Sequence, residues 1–419
     1  MKIVWIVNIP LPEASLLLGD LPLPYGGWLV NASKRISQIS TVQLSILFPR
    51  RGIKGITILK GDTITYYPFK ETDNTSKNSP TIENILSEIK PDLVHVFGTE
   101  LPHSIKSVEA CERLNLKIVV SIQGLVSVIT RHLAADLPFN AIYGITLRNL
   151  ILRDNIRGLR KLYKKRGVSE IKALRKVDYA IGRTEWDRAC TVQINPRINY
   201  FNCNETLREI FYTKQWDIAN IERNSIFLSQ GQYSLKGIHK VIDAMPTILK
   251  SFPNTKIYVS GKDIFTKKTI KDKFLFTYYA KFINNKIKKL KLQDHIIFTG
   301  PLDEHAMCER YLKSHVFICP SALENSPNSL GEAMILGVPS IASFVGGVPD
   351  LLAHKEEGYL YQFESEYMIA HFVTLLFSND AEALRISKNG RKRALQTHNE
   401  EINSKRLMSI YEDIHIRNS

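Results

Sequence analysis

The chain has 419 residues, 44% of them hydrophobic and 23% charged, with a formal net charge of +15. That length exceeds one ordinary core and fits about two domains of ~200 residues each, and the composition excludes disordered, collagenous and membrane-spanning classes. The cysteines, at 111, 190, 203, 308 and 319, are odd in number and lack Cys-x-x-Cys spacing, which argues against a disulfide framework and a structural metal.

The first predicted strand, 3–8, is followed so soon by Pro10 and Pro12 that the start does not read as a signal peptide, and a cytoplasmic protein is expected. A Pro-rich loop then leads to Tyr25-Gly26-Gly27-Trp28 at the start of a helix. Apolar runs at 44–48, 93–97, 118–122, 179–181 and 200–203 continue the strands of the first half, and 56–59 with 64–67 read as a hairpin or edge addition. Six more runs follow, at 226–228, 257–259, 296–298, 316–319, 340–342 and 359–361. Helical stretches separate them, so the fold class is α/β with parallel sheets, divided within 205–224. The division adopted is 1–208, 209–399 and a last helix over 400–419. Ligands of such sheets bind beyond the carboxyl ends of the strands.

The most informative segment is 321–350. Glu324 falls in the loop after strand 316–319. Ser326-Pro327 reads as a helix entry in which Ser caps and Pro takes the first turn. Leu330, Ala333, Met334 and Gly337 recur at helical spacing, and Gly337-Val338-Pro339 ends the helix. Amide groups near Asn328, Ser329 and Leu330 are then available to phosphate. One turn in, the Glu332 carboxylate can accept from vicinal sugar hydroxyls.

Earlier, Gln230-Gly231-Gln232-Tyr233-Ser234-Leu235-Lys236-Gly237 follows the strand 226–228, and the Lys236 ammonium can reach phosphate oxygens there. Gly27, beside Gly26, allows close approach of backbone N–H groups to a diphosphate. Gln123 ends the strand 118–122; it can orient a sugar but cannot titrate. Arg131 and His132 are candidates for the acceptor side. Thr184 reads as a helix cap with Asp187 completing a capping box, and Glu205 as a junction residue.

Glu324 and Glu332 with their surroundings resemble the Glu-x7-Glu signature of the family 4 retaining glycosyltransferases, which have the GT-B fold of two Rossmann-like domains facing a central cleft. The resemblance implies an N-terminal acceptor-binding domain, a C-terminal nucleotide-sugar-binding domain and a last helix that returns to the first domain. It assigns Glu324 to the donor sugar, Glu332 to the ribose and Lys236 to the diphosphate. Donor-binding candidates are Gly27, Gln232, Lys236, Glu324, Asn328, Ser329, Leu330 and Glu332, and the catalytic set is Glu324, Lys236 and Gln123. Gln232 and Gln123 depart from the family pattern, where Arg and His are frequent, and Asn325-Ser326-Pro327 replaces the common Gly-Phe-Gly. The implied reaction is metal-independent and cofactor-free, moving a hexose from a UDP-linked donor to a glycan or lipid-linked acceptor in cell-surface polysaccharide synthesis. The alternatives are a non-catalytic GT-B partner and a sugar-nucleotide epimerase.

The charge has one concentrated source. Over 147–166, eight Lys and Arg residues interleave with Leu150, Ile151, Ile156, Leu159 and Leu162. A basic amphipathic helix of this kind fits an anionic membrane surface, so peripheral association with the inner face of the plasma membrane is expected rather than nucleic-acid binding. A second basic stretch, 281–291, adds to it or is simply solvated.

Overall fold

The computed structural model describes residues 1–22, 26–53, 56–70, 81–152, 155–261, 263 and 277–417. It divides into two compact units, the first comprising Met1–Val128, Lys164–Arg208 and His398–Ser419, the second Ile129–Tyr163 and Glu209–Thr397. The sequence division kept 129–163 in the N-terminal domain. In the structure that segment is bonded to the second unit: Ser234 Oγ donates to the Leu133 carbonyl at 2.8 Å, His239 Nε2 bonds the Ala135 carbonyl at 2.8 Å, and Lys240 pairs with Asp136.

The first unit holds an eight-stranded sheet: β1 (Lys2–Ile6), β2 (Gln43–Arg50), β3 (Leu59–Lys60), β4 (Ile64–Lys70), β5 (Leu93–Phe97), β6 (Ile118–Ser121), β7 (Tyr179–Gly182) and β8 (Asn199–Asn202). The spatial order is β3-β4-β2-β1-β5-β6-β7-β8, and only the β3–β4 pair is antiparallel. The expected hairpin is therefore present, though its first strand begins at Leu59 rather than at 56. β5 is buried along its whole length, the continuous apolar run of a strand covered on both faces.

Order reverses between β1 and β5, so the switch point of this unit lies beyond Ile6 and Phe97. The last helix, Glu400–Arg417, belongs here: Leu407, Ile410, Tyr411 and Ile414 join Ile3, Trp5 and Phe97 in one core. Tyr411 Oη and Ser121 Oγ hold the two nitrogens of His95 at 2.5 and 2.7 Å.

The second unit holds a six-stranded parallel sheet of β9 (Glu222–Leu228), β10 (Lys256–Ser260), β11 (Ile296–Gly300), β12 (Ser314–Cys319), β13 (Ser340–Ser343) and β14 (Tyr359–Tyr361). Its order is β11-β10-β9-β12-β13-β14, which puts the switch point between β9 and β12. Among the described residues no helix is long and apolar enough to cross a membrane.

The basic stretch 147–166 is not one helix. A helix over Leu147–Leu152 is followed by another over Ile156–Lys176, where Asn155 Oδ1 accepts from the Gly158 amide at 2.8 Å and caps the new start. Arg153, within the expected helix, and Tyr25 of the Gly-Gly loop lie outside the described residues.

Candidate active site

The second unit's switch point is built by two loops. After β9 the chain passes Gln232 and forms a short turn, Ser234–Lys236, before the helix Ile238–Ser251. Gly237 has φ +68°, and a Cβ there would lie 1.6 Å from the Pro320 carbonyl oxygen. Only glycine lets this turn lie against the loop that follows β12. That contact brings Lys236 to Glu324: Nζ and Oε1 are 2.5 Å apart, with the side chains 20% and 15% exposed. Ser321 Oγ donates to the same oxygen at 2.7 Å. Burial by itself favours the neutral amine, but the Glu324 charge and hydrogen bond outweigh it and raise the Lys236 pKa.

The Gly-Gly loop of the 321–350 segment has a related cause. Gly346 has φ +51°, and a Cβ there would meet the Glu324 carbonyl oxygen at 1.9 Å. The Gly347 amide donates to that same oxygen at 3.1 Å. The backbone of Glu324 is thus clamped from one side while its carboxylate is held from the other.

The following helix runs over Asn328–Leu336, with Pro327 at the N-cap position and no side-chain cap. Ser326 therefore does not cap it, because the helix starts one residue later than its side chain could serve. The Leu330 amide donates to the Pro327 carbonyl at 3.0 Å, and the Leu330 side chain is fully buried. Leu330 is a core residue with its N–H already engaged. Asn328 and Ser329 occupy the first turn, and the Ser329 carbonyl accepts from Tyr311 Oη at 2.9 Å. Glu332 is 8% exposed.

Gln232 is not gathered with Lys236 and Glu324. Its Nε2 donates to the Ser260 carbonyl at 2.8 Å, filling the space beside Gly261, and so ties the loop to the end of β10.

In the first unit, Gly27 opens the helix Gly27–Ser37 behind Gly26, whose φ is +82°. A Cβ on Gly26 would lie 2.2 Å from Ile9 Cδ1, and one on Gly27 would lie 2.4 Å from Arg208 Cγ. Both glycines are required by close approach. Gln123 Nε2 donates to Glu205 Oε1 at 2.8 Å, and Arg183 pairs with Glu205 Oε2 at 2.7 Å with both side chains nearly buried. Arg183 also donates to the carbonyls of Ile122 and Gln123, each at 3.2 Å. These residues border a cavity of about 50 Å³ that Trp28, Phe97 and Leu407 also line.

Thr184 does cap its helix, accepting from the Asp187 amide. Its neighbour Arg183 and the junction residue Glu205 are the charges that sequence reasoning left without a role. Arg131 and His132 are exposed and belong to the second unit, whereas Gln123 belongs to the first. The partial desolvation its ring still meets and the adjacent Arg131 charge push the His132 pKa down.

Residues 212–393 match the family model described as glycosyl transferases group 1. Spore coat protein SA of Bacillus subtilis is 26% identical over 195 residues, covering 45% of this chain and 48% of that protein. N-acetyl-alpha-D-glucosaminyl L-malate synthase of Bacillus anthracis is 30% identical over 129 residues, 31% of this chain and 32% of that protein. The chain thus spans half or less of the length of these curated relatives. Sucrose-phosphate synthase from Thermosynechococcus elongatus superposes with a TM-score of 0.70 at 14% identity, covering 99% of both chains. Anabaena HepE in complex with UDP-glucose gives 0.69 at 14% identity, over 99% of this chain and 100% of that one. The chain has the GT-B fold, and its residues 212–393 are similar to the glycosyl transferases group 1 model.

Proposed function

We propose that the protein is a family 4 retaining glycosyltransferase. In this reading it moves a sugar from a nucleoside diphosphate sugar, UDP-linked, to a glycan or lipid-linked acceptor in cell-surface polysaccharide synthesis. The observation that carries the reading is the Lys236–Glu324 pair at the switch point of the second unit. Each member of the pair suits one end of such a donor. The diphosphate takes the ammonium, and Glu324 is then free to accept from hydroxyls of the sugar. Glu332, one turn into the helix, accepts from the ribose, and the start of that helix, at Asn328 and Ser329, is the place for a phosphate.

In the reaction the bond from the anomeric carbon to the β-phosphate oxygen breaks and one to the acceptor oxygen forms on the same face. The acceptor proton passes to the departing phosphate, so no enzyme base is needed. Lys236 stabilises the charge that develops on the diphosphate. Anabaena HepE, which this chain resembles in fold, is found in complex with UDP and with UDP-glucose, and a relative in Staphylococcus aureus is a capsular polysaccharide biosynthesis glycosyltransferase. Both support this choice of donor and pathway class.

We assign the protein to an anionic membrane surface through the second unit's 139–163 region. Phe139, Ile145, Leu150 and Ile151 are 74%, 56%, 63% and 80% exposed, a concentration of large apolar side chains rare on a solvated face. Exposed Arg157, Arg160 and Lys161 lie along the next helix. The second basic stretch is adjacent: the Tyr278 amide, opening the helix Tyr278–Lys289, donates to Asn149 Oδ1 at 3.2 Å. Apolar side chains flanked by cations suit the headgroup layer of an anionic bilayer.

The central reading is tested by thermal unfolding with UDP, GDP or ADP, followed by release of nucleotide from the matching sugar donor in excess EDTA. UDP is expected to raise Tm, by the equivalent of about 2.7 kcal/mol at 100 times its Kd, and UDP release is expected to persist in EDTA. A protein that none of the three stabilises is not this enzyme. Loss of turnover that manganese restores removes the metal-independent part.

A further inference from the structure

The first unit has a switch point of its own, between β1 and β5, where an open parallel sheet receives ligands. Two short segments reach it: Asn8, just past β1, and Gly98-Thr99-Glu100, just past β5. Asn8 Nδ2 donates to Glu100 Oε1 at 3.1 Å, and His103 Nε2 lies 2.9 Å from Asn8 Oδ1. Since the amide oxygen only accepts, His103 is the donor and the chain of three has one direction. Glu100 Oε2 is shut off from solvent and has no hydrogen-bond partner. Gly98, at φ +87°, leaves the room this carboxylate fills, for a Cβ there would fall 2.5 Å from Oε2.

Nearby Glu170 shows what a structural carboxylate in this unit looks like. It accepts from the amides of Val126 and Ser127 at 2.9 Å each, from Ser127 Oγ at 2.5 Å and from Thr99 Oγ1 at 3.1 Å. At Glu100 the donors are the Asn8 side chain and the Glu100 and Thr99 amides, yet Oε2 is left without a partner. A buried oxygen left without a donor costs stability, and Glu170 shows that both oxygens of a carboxylate in this unit can be satisfied. Burial, with the Glu170 charge, raises the Glu100 pKa to about 7 against the pull of the Glu100 and Thr99 amides and of Asn8.

We propose that Glu100, oriented by Asn8 and His103, is a specificity-determining residue that binds a hydroxyl of a carbohydrate acceptor at the β1–β5 switch point. The assignment rests on the transferase reading for the choice of ligand class, and its test is independent of the donor site.

Saturation-transfer NMR on the full chain, with and without UDP, is run with methyl glucoside, methyl galactoside and methyl N-acetylglucosaminide as probes. At least one probe is expected to bind the parent. Glu100→Leu is expected to weaken that probe roughly 10- to 100-fold, the range of a hydrogen bond to a charged group, and to keep the parent's UDP-induced rise in Tm. Asn8→Ser, which frees Glu100 to swing, is expected to weaken the same probe less. It carries the test if Glu100→Leu does not fold. Where transfer to the probe is measurable, KM rises and kcat stays within a few-fold. The proposal is overturned if no probe binds the parent, or if the variants bind it as the parent does. Loss of the UDP effect in the parent, with sugar binding and its loss intact, overturns the donor reading instead.

Discussion

Lys236 Nζ and Glu324 Oε1 stand 2.5 Å apart across 88 residues of sequence, and Ser321 Oγ closes on the same oxygen. In the proposed reading a donor's diphosphate replaces Glu324 on the ammonium, and until then the pair holds both groups at the second unit's switch point.

Removing one partner strands the other. Lys236→Ala is expected to lower stability by about 1–3 kcal/mol, below the range for a fully buried pair because both side chains keep some exposure. Turnover is expected to fall about 100- to 1000-fold, as for loss of a transition-state donor. Binding of the nucleoside falls much less, since the cation acts on the diphosphate. Steady-state kinetics beside a UDP titration check this; parent-like turnover removes Lys236 from the site.

Glu332→Ala is expected to abolish nucleotide-dependent stabilisation and leave the fold intact. A carboxylate holding two ribose hydroxyls contributes about 1.5–3 kcal/mol, or roughly 10- to 100-fold in Kd. Calorimetric titration with UDP reads this directly. Equal affinity in parent and variant would mean that Glu332 is a helix residue without a ligand.

Membrane association is expected with vesicles containing phosphatidylglycerol and not with pure phosphatidylcholine, and rising salt should weaken it. Each basic residue near such a surface contributes ~1 kcal/mol. Reversing Arg157, Arg160 and Lys161 to Glu should therefore cost about 100-fold or more in partitioning. Ile151→Ser should weaken binding without changing its salt dependence. Co-sedimentation at low ionic strength checks both, and a parent that stays in the supernatant refutes the assignment.

Two of the buried groups whose pKa values are shifted, Glu100 and His95, give opposite pH limbs. Glu100 is raised from 4.5 to about 7, so the folded chain binds more protons than the unfolded between those values, and stability falls as pH rises through that window. Glu100→Gln is then expected to be more stable than the parent at pH 8, by on the order of 2 kcal/mol, and close to it at pH 4. His95 is depressed to about 3 by burial, so its contribution is present above the ordinary histidine range and lost as pH falls below it. Unfolding midpoints of parent, Glu100→Gln and His95→Gln across pH 4–8 separate the two. An identical profile for all three contradicts both shifts.

Much of this protein was legible before folding was considered. The described strands overlap the apolar runs of the chain, and the central ones, such as β5, are buried along their length and so leave a local mark, while the edge strands β3 and β8 overlap shorter and more exposed runs. Glu324, Lys236 and the two glycine pairs were legible for a related reason: each sits at a strand end or helix start, and those ends are written in nearby residues. What stayed hidden was every relationship between distant segments. Nothing local in Asn8 points to Glu100, 92 residues on, and nothing in Arg183 points to Glu205. Residues 129–163 join the second unit through three contacts to the 234–240 turn and helix, which no periodicity encodes. The sequence determined which side chains must be inside and where the chain must turn. The order in which the strands lie, β1 beside β5 and β9 beside β12, decided which polar ends meet, since parallel strands paired at long range depend on topology and packing rather than on local preference.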